Sequence, residues 1–366
     1  MRTFNVKETF KYLALAFIMP IAFTSCSDDD NETPEEPSLA EKGVFVFNTG
    51  NQGSSIEGSL SFIDKKNDKV INNAFKTVNS RSLGMTVQDG VILGNNLYIA
   101  VSESNTIEVV NKNTLESVAQ IQPTADEGST PRDIVTDGTY VYVSMYSGHV
   151  SRINPNTNSI DKTVAVGPNP EEMAITNGAL YVVNSDGLNW GAGYVNGKSV
   201  SKINLTSMTE KKIAVGLNPT RIGADKSGNV LLLCMGDYGA TPASIWKINS
   251  NDVATDMGIT ATIMSVSGNT LYTINSPWGA SEITYKSYNT TNGTVISESF
   301  VTEPVDSPAS IAINSEDGSI FITSYNLVGG YASYNTPGYV AEYTSNGTFV
   351  KKYDVGTGAV SMTILK

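Results

Sequence analysis

The chain repeats itself, and one of its repeats is divided between its two ends. Four segments align directly: TPRDIVTDGTYVYVSMYSGHVSRINPNTNSIDKTVAV from Thr130, NPEEMAITNGALYVVNSDG with GKSVSKINLTSMTEKKIAV from Asn169, NPTRIGADKSGNVLLLCMGDYG with ASIWKINSNDVATDMGI from Asn218, and SPASIAINSEDGSIFITSYN with GYVAEYTSNGTFVKKYDV from Ser307. Each reads as four short strands separated by Gly, Asn, Pro and Ser clusters, with no helical period between them. Pro-x-x-(Ile/Met) opens strand A, and a polar Gly turn leads into apolar strand B. Strand C closes on Ile-Asn or a close variant, and a Thr/Ser/Asn turn precedes strand D.

Weaker copies occupy residues 82–121 and 260–301, which makes six complete units. The seventh is split. Residues 43–47 (GVFVF), 59–64 (SLSFID) and 70–75 match strands B, C and D, and nothing before them can serve as strand A. The missing profile is residues 356–366 (GTGAVSMTILK), which has no strand B after it. These observations predict an all-β fold, a seven-bladed β-propeller of four-stranded blades closed by a C-terminal strand that completes the N-terminal blade. Residues 43–366 number 324, about 46 per blade, near the usual four-stranded repeat. Such closure leaves no exposed inner edge.

The segment before the ring has a different composition. Arg2, Lys7 and Lys11 flank an apolar run over residues 12–23, followed by Thr24, Ser25 and Cys26. The run is about a dozen residues, short of the ~20 that span a bilayer, so residues 1–25 read as a cleaved secretory signal. Residues 26–42 carry seven acids, two prolines and almost no large apolar side chain, the composition of a flexible tether. Residues 43–366 carry 20 basic and 28 acidic residues, net −8, which argues against a nucleic-acid partner and against an electrostatic grip on anionic lipid.

The small residue followed by Cys26 resembles the bacterial lipobox, which implies that Cys26 is acylated and that the lipid holds the protein at a membrane. The acidic run after it resembles the surface-export signal of Bacteroidota lipoproteins, which implies an outer-membrane location facing the cell exterior. The repeated (Val)-Gly-x-x-Pro-x-x-(Ile), Leu-Tyr-Val and Ile-Asn pattern is similar to the YncE-like seven-bladed propellers. Together these features resemble the BtuG-type cobalamin-capture lipoproteins of Bacteroidota. That resemblance implies a corrinoid, vitamin B12 or a relative, as ligand and a TonB-dependent outer-membrane transporter as partner.

Loop lengths separate the two faces of such a ring. The A-to-B and C-to-D turns are almost all short, whereas B-to-C loops start at Thr49, Ser185, Met235, Ser276 and Tyr325 and run longer. They carry Trp190, Tyr194, Tyr238, Trp278, Tyr325, Tyr331 and Tyr334 among Gly, Asn and Ser, offering flat apolar contact with polar tips. The D-to-A connections, on the same face, add Arg81, Arg132, Glu171, Glu172 and Arg221 at the start of innermost strand A, where they are expected to ring the channel mouth. These twelve residues form the candidate ligand site. The alternative for any one of them is that it locks a loop to its neighbour or is merely solvated.

Signals for catalysis are weak. His149 is the single histidine, which rules out a two-histidine metal site. No CxxC, GxGxxG, P-loop or HExxH motif occurs. No catalytic residue, metal ligand or cofactor is assigned. Cys234, inside NVLLLCMG, reads as a small buried hydrophobe. A glycan-binding or protein-interaction module of a surface uptake complex fits the same loops. A hydrolase or lactonase fits less well, because the starts of strand A offer arginines as often as acids.

Overall fold

The structure, a computed structural model, describes residues 42–279 and 282–365. The signal, most of the tether and Cys26 lie outside the described residues. Seven four-stranded antiparallel sheets form the ring. In blade 1, strand A is Ala359–Leu365, B is Gly43–Asn48, C is Ser59–Asp64 and D is Lys69–Ile71. The register runs from Gly43 opposite Leu365 to Asn48 opposite Ala359, so the two ends of the propeller do complete one sheet.

Blades 2 to 7 keep the order A-B-C-D, with strand A at Val87–Leu93, Pro131–Thr136, Pro170–Thr176, Pro219–Ala224, Ile263–Ser267 and Pro308–Ile313. Each sheet is packed on both faces by its neighbours. This explains why strand B is written as an unbroken apolar run, as in NLYIAV, ALYVVN and VLLLC, with little alternation. Between blades 1 and 2, Phe45, Phe47, Phe62 and Phe75 pack against Leu97 and Ile99. Gly90 is required there, since a Cβ on it would lie 2.3 Å from the Phe47 ring.

Blade 1 departs from expectation in its outer strand. Strand D stops at Ile71, and Ala74–Asn79 forms a helix instead of continuing to Phe75. Asn73 and Ser80 flank it in the left-handed conformation, and the helix turns Ala74 and Phe75 into the core. The seam between blades 1 and 7 is stitched by polar groups as well as by the shared sheet. Lys65 Nζ reaches Glu342 Oε2 at 2.5 Å and the Tyr353 hydroxyl at 2.9 Å, and Tyr353 donates to Glu342 at 2.7 Å.

Candidate functional site

Strand A does not enter its sheet smoothly. In blades 2, 3, 4, 5 and 7 the register slips within the first residues, between Val87 and Asp89, Pro131 and Ile134, Pro170 and Met173, Pro219 and Arg221, and Pro308 and Ser310. A bulge of this kind re-aims side chains and leaves a backbone N–H without its ladder partner. Both consequences appear here. Adjacent residues Gln88–Asp89, Arg132–Asp133, Glu171–Glu172, Thr220–Arg221 and Val360–Ser361 all line one cavity of about 410 Å³ at the channel mouth.

The freed N–H groups are taken by carboxylates of the preceding blade. Ile134 N donates to Asp89 Oδ2 at 3.3 Å, Met173 N to Asp133 Oδ2 at 2.7 Å, and Ile222 N to Glu172 Oε2 at 3.2 Å. Ser361 Oγ on blade 1 donates to Asp89 Oδ1 at 2.5 Å. Blades 1 to 5 are thus joined round the channel by one hydrogen-bond relay.

The charges are paired within this relay. Arg132 Nε and Nη2 approach Glu171 Oε2 at 2.9 and 2.8 Å, and the guanidinium lies over the Tyr146 ring, 4.7 Å from its centroid. Arg221 Nη1 meets Glu172 Oε1 at 2.5 Å, and Nη2 reaches the Ala309 carbonyl of blade 7 at 3.3 Å. Burial raises the Glu171 carboxyl, opposed by Arg132. Burial also pushes Asp133 well above the usual carboxylate range, reinforced by the negative charges of Asp89 and Glu172. Burial raises Asp89 as well, and hydrogen bonds from Asp133 and Ser361 pull it back. Two facing carboxyls at close quarters oppose each other's ionisation, which is why Asp133 is the more strongly raised of the two.

Of the sequence-derived candidates, Arg132, Glu171, Glu172, Arg221 and Tyr238 line this cavity together. Tyr194 stands beside Tyr238 with ring centroids 6.1 Å apart, joining the loops of blades 4 and 5. Tyr325 lies within electrostatic reach of Arg221 and packs against Tyr334 at 4.9 Å. Trp190, Trp278 and the pair Tyr331 and Tyr334 project from three different loops and are not part of the cavity lining; Trp278 is 94% exposed.

Arg81 is a correction. Strand A of blade 2 begins at Val87, so Arg81 belongs to the helix-bearing connection before it. It pairs with Glu108 Oε1 at 2.6 Å, bonds Ser117 on strand D and covers the Phe75 ring, away from the channel mouth.

Asp89, Asp133, Gln88, Thr220 and Ser361 were not singled out from the sequence. Of these only Asp133 falls at a place the repeat marks, the position before the Ile/Met of the Pro-x-x-(Ile/Met) pattern, which Glu172 and Arg221 occupy in the next two blades. Cys234 is buried as expected, which pushes its thiol up to about 12. His149 begins strand C of blade 3, and its Nδ1 is buried without a partner among the described residues. Among the described residues no group of three His, Cys, Asp or Glu side chains could hold a metal ion.

Fold and site together define a seven-bladed propeller with a charge-paired channel mouth and aromatic loops on one face. The chain belongs to a family described as a domain of unknown function (DUF5074), whose model matches residues 42–360. No curated protein matches it significantly. Among solved structures, it is similar to a Bacteroides fragilis NCTC 9343 protein provisionally named a 6-phosphogluconolactonase, at 12% identity and TM-score 0.62, covering 92% of this chain and 100% of that one. It is also similar to a functionally unknown protein from Desulfotomaculum acetoxidans DSM 771, at 14% identity and TM-score 0.60 over 88% and 98% of the two chains. Hydrazine synthase of Kuenenia stuttgartiensis matches at 13% identity and TM-score 0.53 over 92% and 100%. At such identities the likeness is one of fold alone.

Proposed function

We propose that this protein captures a ligand on its loop-bearing face, and that the ligand is a corrinoid such as cobalamin, passed on to a TonB-dependent transporter by a lipoprotein anchored through Cys26. The observation that carries the reading is a cavity of about 410 Å³ lined by Tyr238, with Tyr194 packed against Tyr238, on a ring whose B-to-C loops also carry exposed Trp190, Trp278, Tyr331 and Tyr334. A corrinoid is a large amphipathic disc with amide edges. Projecting aromatic side chains supply broad apolar contact at low entropic cost, and a polar centre fixes orientation. A rigid ring carrying its binding groups on loops is the usual arrangement for such work.

Purified protein mixed with cyanocobalamin and followed by tryptophan fluorescence and co-elution tests the reading. Binding is expected, and Trp190→Ala and Trp278→Ala should weaken it while leaving the thermal midpoint nearly unchanged, since both side chains are exposed. No binding at micromolar ligand would sink the corrinoid reading. Unchanged affinity in both variants would move the site off this face. A second reading, glycan capture, is favoured by one observation: the two tryptophans stand on different loops, as separate stacking platforms. A polysaccharide retaining the protein in affinity electrophoresis would select it.

A further inference from the structure

The cavity contains arginines, yet each is already neutralised by a carboxylate of its own. Arg132 is held by Glu171 and Arg221 by Glu172, both within hydrogen-bond distance, and Arg221 spends a second nitrogen on the Ala309 carbonyl. The acids outnumber the arginines, with Asp89 and Asp133 also on the wall. The wall also carries neutral groups that are uncommitted. The Gln88 carboxamide and the Thr220 hydroxyl line the same cavity and meet no hydrogen-bond partner among the described residues.

We propose that the channel mouth is a subsite for an uncharged hydrogen-bonding group of the ligand, a carboxamide or hydroxyl, and that it rejects carboxylates and phosphates. The inference rests on the capture reading and adds a chemical class to it. An anion entering here would lose its hydration, face a surplus of negative charge, and compete with the carboxylate already held against each arginine. A neutral amide meets the side chains of Gln88 and Thr220 at no such cost. Specificity of this kind comes from repulsion of the wrong group as much as from attraction of the right one. It also separates this cavity from any site built to hold a phosphorylated sugar acid, which would present at least one free cation.

Two measurements test it. In protein labelled with ¹⁵N-arginine, the Nε–Hε signals of Arg132 and Arg221 are followed during titration with inorganic phosphate. They are expected to stay in place at millimolar phosphate in the wild type and to shift, with saturation, in the E171Q/E172Q double variant, whose arginines are released. A wild-type shift that saturates below the millimolar range would overturn the proposal, and so would a folded double variant with no shift. Cyanocobalamin is then compared with its monocarboxylic acid, in which one amide is hydrolysed; the acid is expected to bind about tenfold more weakly. Equal affinities would refute the charge selection and leave ligand capture standing. Failure of cyanocobalamin itself to bind would remove the corrinoid reading alone, and the phosphate titration would still decide the subsite.

Discussion

Two asparagines at equivalent positions in different blades should differ in value, for a reason visible in their hydrogen bonds. Asn184 and Asn48 each end strand B, each faces a serine at the start of strand C, and each is fully buried. Asn184 is satisfied at both ends. Its Oδ1 accepts from Gly167 N at 3.0 Å, and its Nδ2 donates to Ser199 Oγ at 3.0 Å and to Ser201 Oγ at 3.1 Å. Asn48 Nδ2 donates to Ser61 Oγ at 2.9 Å and to Ser59, but its buried Oδ1 has no partner among the described residues.

Truncating Asn184 to alanine removes three bonds and orphans the Gly167 N–H, so at ~1 kcal/mol per bond the loss is about 3 kcal/mol. Truncating Asn48 removes donor bonds but also an unsatisfied acceptor, whose desolvation penalty of ~1–3 kcal/mol is returned, leaving a net loss of about 1 kcal/mol. For a domain of this size the difference corresponds to a gap of roughly 4 °C in melting temperature. Thermal unfolding of both variants by circular dichroism reads it directly. Equal losses, or a larger loss at Asn48, would show that buried satisfaction is not what sets the value of these residues.

Two further perturbations probe the ring. The folded-state carboxyl of Asp133 is raised above its ordinary value of 3.8, so its contribution to stability is fully present below that pH and is lost as pH rises through the folded value. Asp133→Asn keeps a donor to Asp89 and an acceptor for Met173 N and cannot ionise; its stability relative to wild type should therefore increase steadily from about pH 4 upward in urea titrations across pH. A pH-independent difference would exclude proton sharing. Ending the chain after Thr357 strips strand B of blade 1 of six paired residues and exposes an edge lined by Val44, Val46 and Phe47. The product should lose the elution peak of the intact protein in size-exclusion chromatography, and a synthetic peptide of residues 358–366 should restore it.

How much of this was legible in the sequence follows from what a repeat can encode. Blade number and the shared sheet were readable because turn chemistry and apolar strand B recur, and because residues 43–47 and 356–366 lack complementary strands. The helix Ala74–Asn79 was not, since six residues are too few for a 3.6-residue period to register. Arg132, Glu171, Glu172 and Arg221 were found because they follow the proline of a recognisable motif, whereas Arg81 was misplaced because blade 2 lacks the proline that opens strand A in blades 3, 4, 5 and 7. Asp89 and Asp133 escaped notice for a deeper reason. Their role depends on a backbone N–H freed by a bulge in the next blade, a partner that no side-chain pattern announces.

The closure of blade 1 also sets how the molecule carries load. Strand Gly43–Asn48 is the first strand of the described residues, and it is hydrogen-bonded on both edges, to Ser59–Asp64 on one side and to Ala359–Leu365 on the other. A pull transmitted along the preceding chain therefore runs parallel to that strand and stresses two ladders in shear at once, so their bonds resist together and not one after another. Tension applied from that end is absorbed in the blade where the ring is joined, and Lys65 with Glu342 clamps the same joint from the side.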